Sequence, residues 1–195
     1  MLKHPTAKPD PTQPLTALVL VGKPAAGKTT IRQICSDYGV VGCDLADAHN
    51  ESGVSMETVE TLIDTLIEDV DTLGSVCCIE GPITEAELEY IRRRFEATVV
   101  VRVEANNDYR RIQRYVERSV DDETPWDTTE RSSLELEART RENIEMPYPR
   151  HDVVMRNDES TTITELTERC VNLLAGISNR PRDAFESPAD LEARQ

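Results

Sequence analysis

The chain has 195 residues, enough for one domain with a sizeable core. It carries 37 acidic against 22 basic residues, a formal charge of −15, and only 4% of it is aromatic. That balance argues against nonspecific binding to nucleic acid or to an anionic membrane surface, and the lack of any apolar run of about 18 residues argues against a transmembrane helix.

The basic residues are lopsided, with Lys3, Lys8, Lys23 and Lys28 as the only lysines and 18 arginines. An acidic, lysine-poor surface suits multimolar salt, where the Debye length falls to roughly 3 Å at 1 M and self-repulsion is screened. The composition reads as that of an extreme halophile, archaeal in type. No apolar h-region of a secretory signal is visible at the N-terminus. Cys35, Cys43, Cys77, Cys78 and Cys170 show no metal-ligand spacing and fall in apolar stretches, as small buried hydrophobes do. A cytoplasmic, reduced setting is expected. His4, His49 and His151 are scattered, and no zinc site is expected.

In chain order, residues 1–14 hold Pro5, Pro9, Pro11 and Pro14 among polar residues and read as a disordered arm. Leu18–Val21 is a short apolar run of the kind that forms a buried strand. Gly22-Lys23-Pro24-Ala25-Ala26-Gly27-Lys28-Thr29 follows, a complete G-x-x-x-x-G-K-[ST] phosphate-binding loop. Its glycines let backbone N–H groups turn toward an anion. Lys28 reaches the β/γ-phosphates, and the Thr29 hydroxyl is placed for Mg²⁺. Thr30–Cys35 has helical spacing, with Ile31, Ile34 and Cys35 on one face. Phosphates would then sit at a helix N-terminus, whose dipole and free N–H groups favour them. The expected ligand is a nucleotide, ATP with Mg²⁺.

Val40–Cys43 is a second strand. Residues 57–73 form an amphipathic helix with Val59, Leu62, Ile63, Leu66, Ile67 and Val70 on one face. Val76–Ile79, apolar throughout, is a central third strand. Residues 84–95 read as a helix, with Thr84 and Glu87 in capping-box spacing. Thr98–Val103 is a fourth strand. Residues 107–118 are helical and arginine-rich, 119–130 an acidic loop, and 131–145 helical. Asp152–Met155 is a fifth strand, and Thr162–Ala175 a closing helix. Residues 178–195 read as a polar tail. Five strands alternating with helices predict an α/β fold: a parallel sheet covered on both faces, spanning 15–177.

In open α/β sheets, ligands bind outside the carboxyl ends of the strands. Glu80 ends the third strand, where an acid would orient Mg²⁺ or its waters. Asp44 ends the second strand at the same edge; it either serves the metal or caps a helix. Arg111, Arg114 and Arg118 share a helix face by their spacing, and Arg131 follows the acidic loop. Phosphoryl transfer is mostly positioning and charge neutralisation. Arg118 and Arg131, on a lid of about residues 115–135, are therefore the candidate transition-state arginines, with Arg110 left to the surface.

This order of motifs resembles the nucleoside monophosphate kinase family, with likenesses to adenylate-kinase-like archaeal proteins and to dephospho-coenzyme A kinase. The carrying residues are the loop at 22–29, Asp44, Glu80-Gly81, Arg118-Ser119-Val120-Asp121-Asp122 with Arg131, and Asp152-Val153-Val154-Met155-Arg156-Asn157-Asp158. The likeness covers about 16–176. It implies a three-layer P-loop fold with a small arginine-bearing lid, and a place for Asn157 beside the adenine. Two features depart from it. Leu45-Ala46-Asp47-Ala48-His49-Asn50-Glu51 and Pro82-Ile83-Thr84 lack the arginines that would grip an acceptor phosphate.

Two functions follow as expectations. The first is a kinase moving the γ-phosphoryl of Mg²⁺-ATP to a small-molecule acceptor of the nucleotide or dephospho-coenzyme A class. The second is a regulatory nucleotide-binding ATPase without such an acceptor. A signalling GTPase is disfavoured by the missing Asn-Lys-x-Asp motif, and a transporter ATPase by size and the missing Leu-Ser-Gly-Gly signature. The oligomeric state stays open between monomer and homodimer.

Overall fold

Runs of four to eight residues rich in valine, isoleucine and cysteine are too short for stable helices and pair instead as strands. The computed structural model describes residues 15–46, 56–70, 76–81, 83–106, 111–112, 149–158 and 160–178. In chain order these form β1 (Thr16–Val21), α1 (Lys28–Asp37), β2 (Val41–Asp44), α2 (Met56–Asp69), β3 (Val76–Glu80), α3 (Glu85–Arg94), β4 (Ala97–Glu104), β5 (Val153–Arg156) and α4 (Ile163–Ser178). The strands make one sheet in the order β2-β3-β1-β4-β5, every pair parallel.

The sheet has helices on both faces. Ile31, Ile34 and Cys35 of α1 and Leu166, Cys170 and Leu174 of α4 pack with Leu18, Leu20 and Cys78 on one side. Val59, Ile63 and Leu66 of α2 and Leu88 and Ile91 of α3 pack with Val19, Val21 and Ile79 on the other. β1 is buried along its whole length because it lies at the centre of both clusters. Each fully buried aliphatic side chain contributes roughly 1.5–3 kcal/mol. The five cysteines are free, and all but Cys43 are fully buried. Burial pushes the Cys43 thiol up to about 11 and the Cys77 thiol to about 12, so both stay neutral and behave as small hydrophobes.

The element boundaries differ from the sequence pattern where side chains or turns claim backbone groups. β2 starts at Val41 because the Val40 N–H closes α1 onto the Cys35 carbonyl at 3.0 Å, while the Gly39 N–H donates to the Ser36 carbonyl at 2.9 Å. This is a Schellman ending, and it carries Asp44 into the strand. β5 starts at Val153. Asp152 lies just before it and brackets β4: its N–H donates to the Val100 carbonyl at 2.8 Å, and its Oδ2 accepts from the Val100 N–H at 2.9 Å. Thr162 is a cap rather than the first residue of α4; its hydroxyl accepts from the Glu165 N–H and its own N–H donates to Glu165 Oε2. α4 then runs through Gly176 to Ser178, whose hydroxyl donates to the Leu174 carbonyl at 2.6 Å. The Thr84–Glu87 capping box of α3 is formed. The arm at 1–14, residues 71–73 of the second expected helix, the tail beyond 178, the loop at 119–130 and the helices expected at 107–118 and 131–145 lie outside the described residues, except for helical Arg111 and Ile112. No helix among the described residues is long and apolar enough to cross a membrane.

Candidate active site

The loop between β1 and α1 turns on three left-handed residues, Gly22 (φ 147°), Ala25 (φ 58°) and Gly27 (φ 107°). Alternating handedness of this kind turns successive N–H groups into one concavity, an anion nest. Two of the positions cannot carry a side chain for a second reason. A Cβ on Gly22 would collide with the Val103 carbonyl of β4, and one on Gly27 with the Asn157 amide. Ala25 holds its conformation at a cost that non-glycine residues bear mainly at functional sites. α1 begins inside the loop at Lys28, capped by Gly27 with no side-chain cap, so its first N–H groups stay available to a ligand.

Lys28 curls back over the loop. Its Nζ donates to the Gly22 carbonyl at 2.5 Å and to the Lys23 carbonyl at 3.3 Å. Two residues from distant elements hold the loop from outside. Asn157, just past β5, donates its Nδ2 to the Ala26 carbonyl at 2.9 Å. Arg111 is 1% exposed and donates Nη1 to the Pro24 carbonyl at 3.0 Å. The loop thus keeps its shape through contacts to its carbonyls, one of them internal, since the Ala26 N–H donates to the Lys23 carbonyl at 3.1 Å. The structure brings Gly22, Lys23, Pro24, Ala25, Ala26, Gly27, Lys28, Thr29 and Thr30 into one turn, and sets Asn157 against it.

The carboxyl edges of β2 and β3 carry the acids. Asp44 and Glu80 are register partners in the parallel pair. Glu80 is 1% exposed, and its Oε1 accepts from Arg32 Nε at 2.6 Å. Its other oxygen, Oε2, is buried with no hydrogen-bond partner. Burial raises the Glu80 pKa; the Arg32 guanidinium opposes the rise, Asp44 adds to it, and the neighbouring Thr29 side chain opposes it slightly. Asp44 Oδ1 accepts from the Ala46 N–H at 2.8 Å, the contact of a helix cap. One Asp44 oxygen thus makes the cap contact, and the residue stands opposite Glu80 in the strand register.

Among the described residues no three His, Cys, Asp or Glu side chains gather into a metal cage. Mg²⁺ bound with a nucleotide does not need one, since it takes one or two carboxylates and keeps phosphate and water ligands. The Thr29 hydroxyl and the orphaned Glu80 Oε2 fit such an ion. Beside the loop, a cleft of about 270 Å³ opens between Gly22-Lys23 and the end of β4, floored by the Arg102–Glu104 ion pair at 2.9 Å. Arg118 and Arg131 lie outside the described residues. Two residues at the site escaped the sequence reading. Arg32 falls within the α1 pattern, but only its apolar neighbours were read. Arg111 shares its helix face with Arg114 and Arg118 by spacing, and nothing in that spacing marks it as the buried member.

No protein-family model matches the chain, and no curated protein matches it. Solved structures do. A sugar kinase from Janibacter sp. HTCC2649 is 12% identical with a TM-score of 0.56, over 89% of this chain and 99% of that one. TT1252 from Thermus thermophilus is 14% identical with a TM-score of 0.59, over 85% and 98%. A gluconokinase from Sinorhizobium meliloti 1021 is 12% identical with a TM-score of 0.51, over 86% and 95%. At these identities the likeness is one of fold. The chain has the α/β fold of the P-loop kinases, a five-stranded parallel sheet between two helical layers.

Proposed function

We propose that the chain is a kinase that transfers the γ-phosphoryl of Mg²⁺-ATP to a small-molecule acceptor. The observation that carries the reading is the loop itself: a turn built on the left-handed residues Gly22, Ala25 and Gly27, with Lys28 folded over it and a buried, half-satisfied Glu80 near Thr29. A phosphate chain in the nest gives Lys28 a stronger partner than two carbonyls, because charge-assisted bonds are roughly twice as strong as neutral ones. Lys28 would swing from Gly22 and Lys23 to the β/γ-phosphates. Mg²⁺, when bound, would supply positive charge that neutralises the phosphates. Thr29 would hold it directly, with Glu80 and Asp44 orienting its waters. Arg118 and Arg131 would cover the transferring group from the lid and meet its developing charge. The cleft beside Lys23 and Arg102 is roomy enough for a small polar acceptor. The sugar kinase and the gluconokinase among the structural neighbours support this reaction class.

A regulatory nucleotide-binding ATPase is the second reading, favoured by the Arg32–Glu80 pair, which already engages the acid. ADP release separates the two. Purified protein in molar KCl with Mg²⁺-ATP is offered nucleoside monophosphates, nucleosides, dephospho-coenzyme A and sugar acids in turn, with Lys28→Ala as the blank. The kinase reading predicts one acceptor class that raises ADP release at least tenfold over the blank, roughly the scale on which a lost phosphate-positioning group acts. Arg118→Ala and Arg131→Ala should lower that rate well beyond threefold, given the usual scale of such arginines. A flat panel with measurable ATP binding would favour the regulatory protein.

A further inference from the structure

Glu80 presents a problem of charge. A carboxylate 1% exposed cannot stand unpaired, since an isolated buried charge costs far more than a domain's margin of stability. Its pairing is one-sided. Oε1 takes Arg32 Nε at 2.6 Å, and Oε2 takes nothing among the described residues. Arg32 lies one helical turn after Lys28, on the same side of α1. Its stem crosses β2 at Gly42, where a Cβ would lie 3.2 and 3.3 Å from Arg32 Cγ and Cδ and 2.7 Å from the Cys78 carbonyl. The absent side chain at Gly42 is what lets the guanidinium reach the end of β3. There it lies within electrostatic reach of Asp44 as well. Arg32 remains 27% exposed.

We infer that Arg32 is a tethered stand-in for the metal: it balances Glu80 in the nucleotide-free protein, so that the site takes a divalent cation only together with a nucleotide. The inference rests on the Mg²⁺-ATP reading above. Without Arg32, Glu80 beside Asp44 could stay ionised only by drawing in another cation, and two adjacent carboxyl groups at one sheet edge suit a divalent ion. With Arg32 in place their sum is one negative charge, and the remaining attraction has to come from phosphates. Only Oε2 is left for a metal-bound water, which suits an ion whose main ligands arrive with the substrate. Arg32 is thus a positioning residue for Glu80 and a gate on metal binding.

The test uses Mn²⁺ as the probe, its free concentration read by electron paramagnetic resonance. Titrations are run on the wild-type chain with and without a non-hydrolysable ATP analogue, and circular dichroism checks each variant for folding. Arg32→Gln should bind Mn²⁺ without nucleotide about tenfold or more tighter than wild type, because one opposing charge is gone. Arg32→Lys should remain like wild type. The double variant Arg32→Gln/Glu80→Gln should lose the gain. A folded Arg32→Gln with unchanged Mn²⁺ affinity overturns the inference. Should Arg32→Gln fail to fold, the wild type still decides once the Mn²⁺ that the analogue chelates by itself is subtracted: protein-bound Mn²⁺ held as tightly without the analogue as with it overturns the inference, and a marked gain on adding the analogue supports it. If the analogue never retains Mn²⁺ on the wild type while Arg32→Gln gains nucleotide-free binding, the Mg²⁺-ATP reading falls and the charge balance at Glu80 stands.

Discussion

Asn157 ties two ends of the chain together at one atom. Its amide donates to the Ala26 carbonyl from 131 residues away and fills the space above Gly27. The loop needs such support because Ala25 is held at φ 58°, a conformation that persists only when its surroundings impose it. Asn157→Ala removes the bond but leaves the backbone path free. It should lower stability by about 1 kcal/mol, the usual net worth of one hydrogen bond, and weaken ATP binding by a comparable free energy, about fivefold in the dissociation constant. Thermal unfolding and ATP titration check both. Unchanged ATP affinity would mean that the loop keeps its shape without Asn157.

At the scale of elements, the loop is where β1, α1, β5 and the segment after β4 meet. Arg111 joins the last of these to Pro24. Its full burial makes the contact costly to break, because the loss of a charged hydrogen bond costs about 1.5–3 kcal/mol. Arg111→Met keeps the stem and removes the donor. It should destabilise the chain by about 2 kcal/mol and raise the dissociation constant for ATP, and an unaltered constant would contradict the link. Elements of this kind were largely legible in the sequence. The five strands, the α3 capping box and the loop motif follow from period, cap spacing and glycine placement. What could not be read is local competition for backbone groups. Val40 closes a Schellman ending rather than opening β2, and Asp152 brackets β4 rather than joining β5. Arg32 and Arg111 escaped for another reason. Sequence spacing tells which helix face an arginine shares, but a buried arginine and a solvated one have the same spacing, and only the partner across the fold separates them.

For the whole molecule, the strand order puts β1 between β3 and β4, so the phosphate loop emerges at the centre of the sheet. The acids of β2 and β3 then lie on one side of it and the β4–β5 ends on the other. Reaction groups can thus approach the nest from two flanks without any change of fold. The formal charge of −15 acts on the molecule as a whole. Self-repulsion of that size loosens a compact state and is screened within roughly 3 Å at 1 M salt, so thermal unfolding should shift upward from dilute buffer to molar KCl, and an unchanged midpoint would contradict this. Whether phosphoryl groups leave ATP for an acceptor other than water is read by phosphorus NMR of Mg²⁺-ATP with the active acceptor in molar KCl. The account predicts a new phosphorylated-product resonance growing in step with ADP and absent with Lys28→Ala. ADP accompanied only by inorganic phosphate would contradict it.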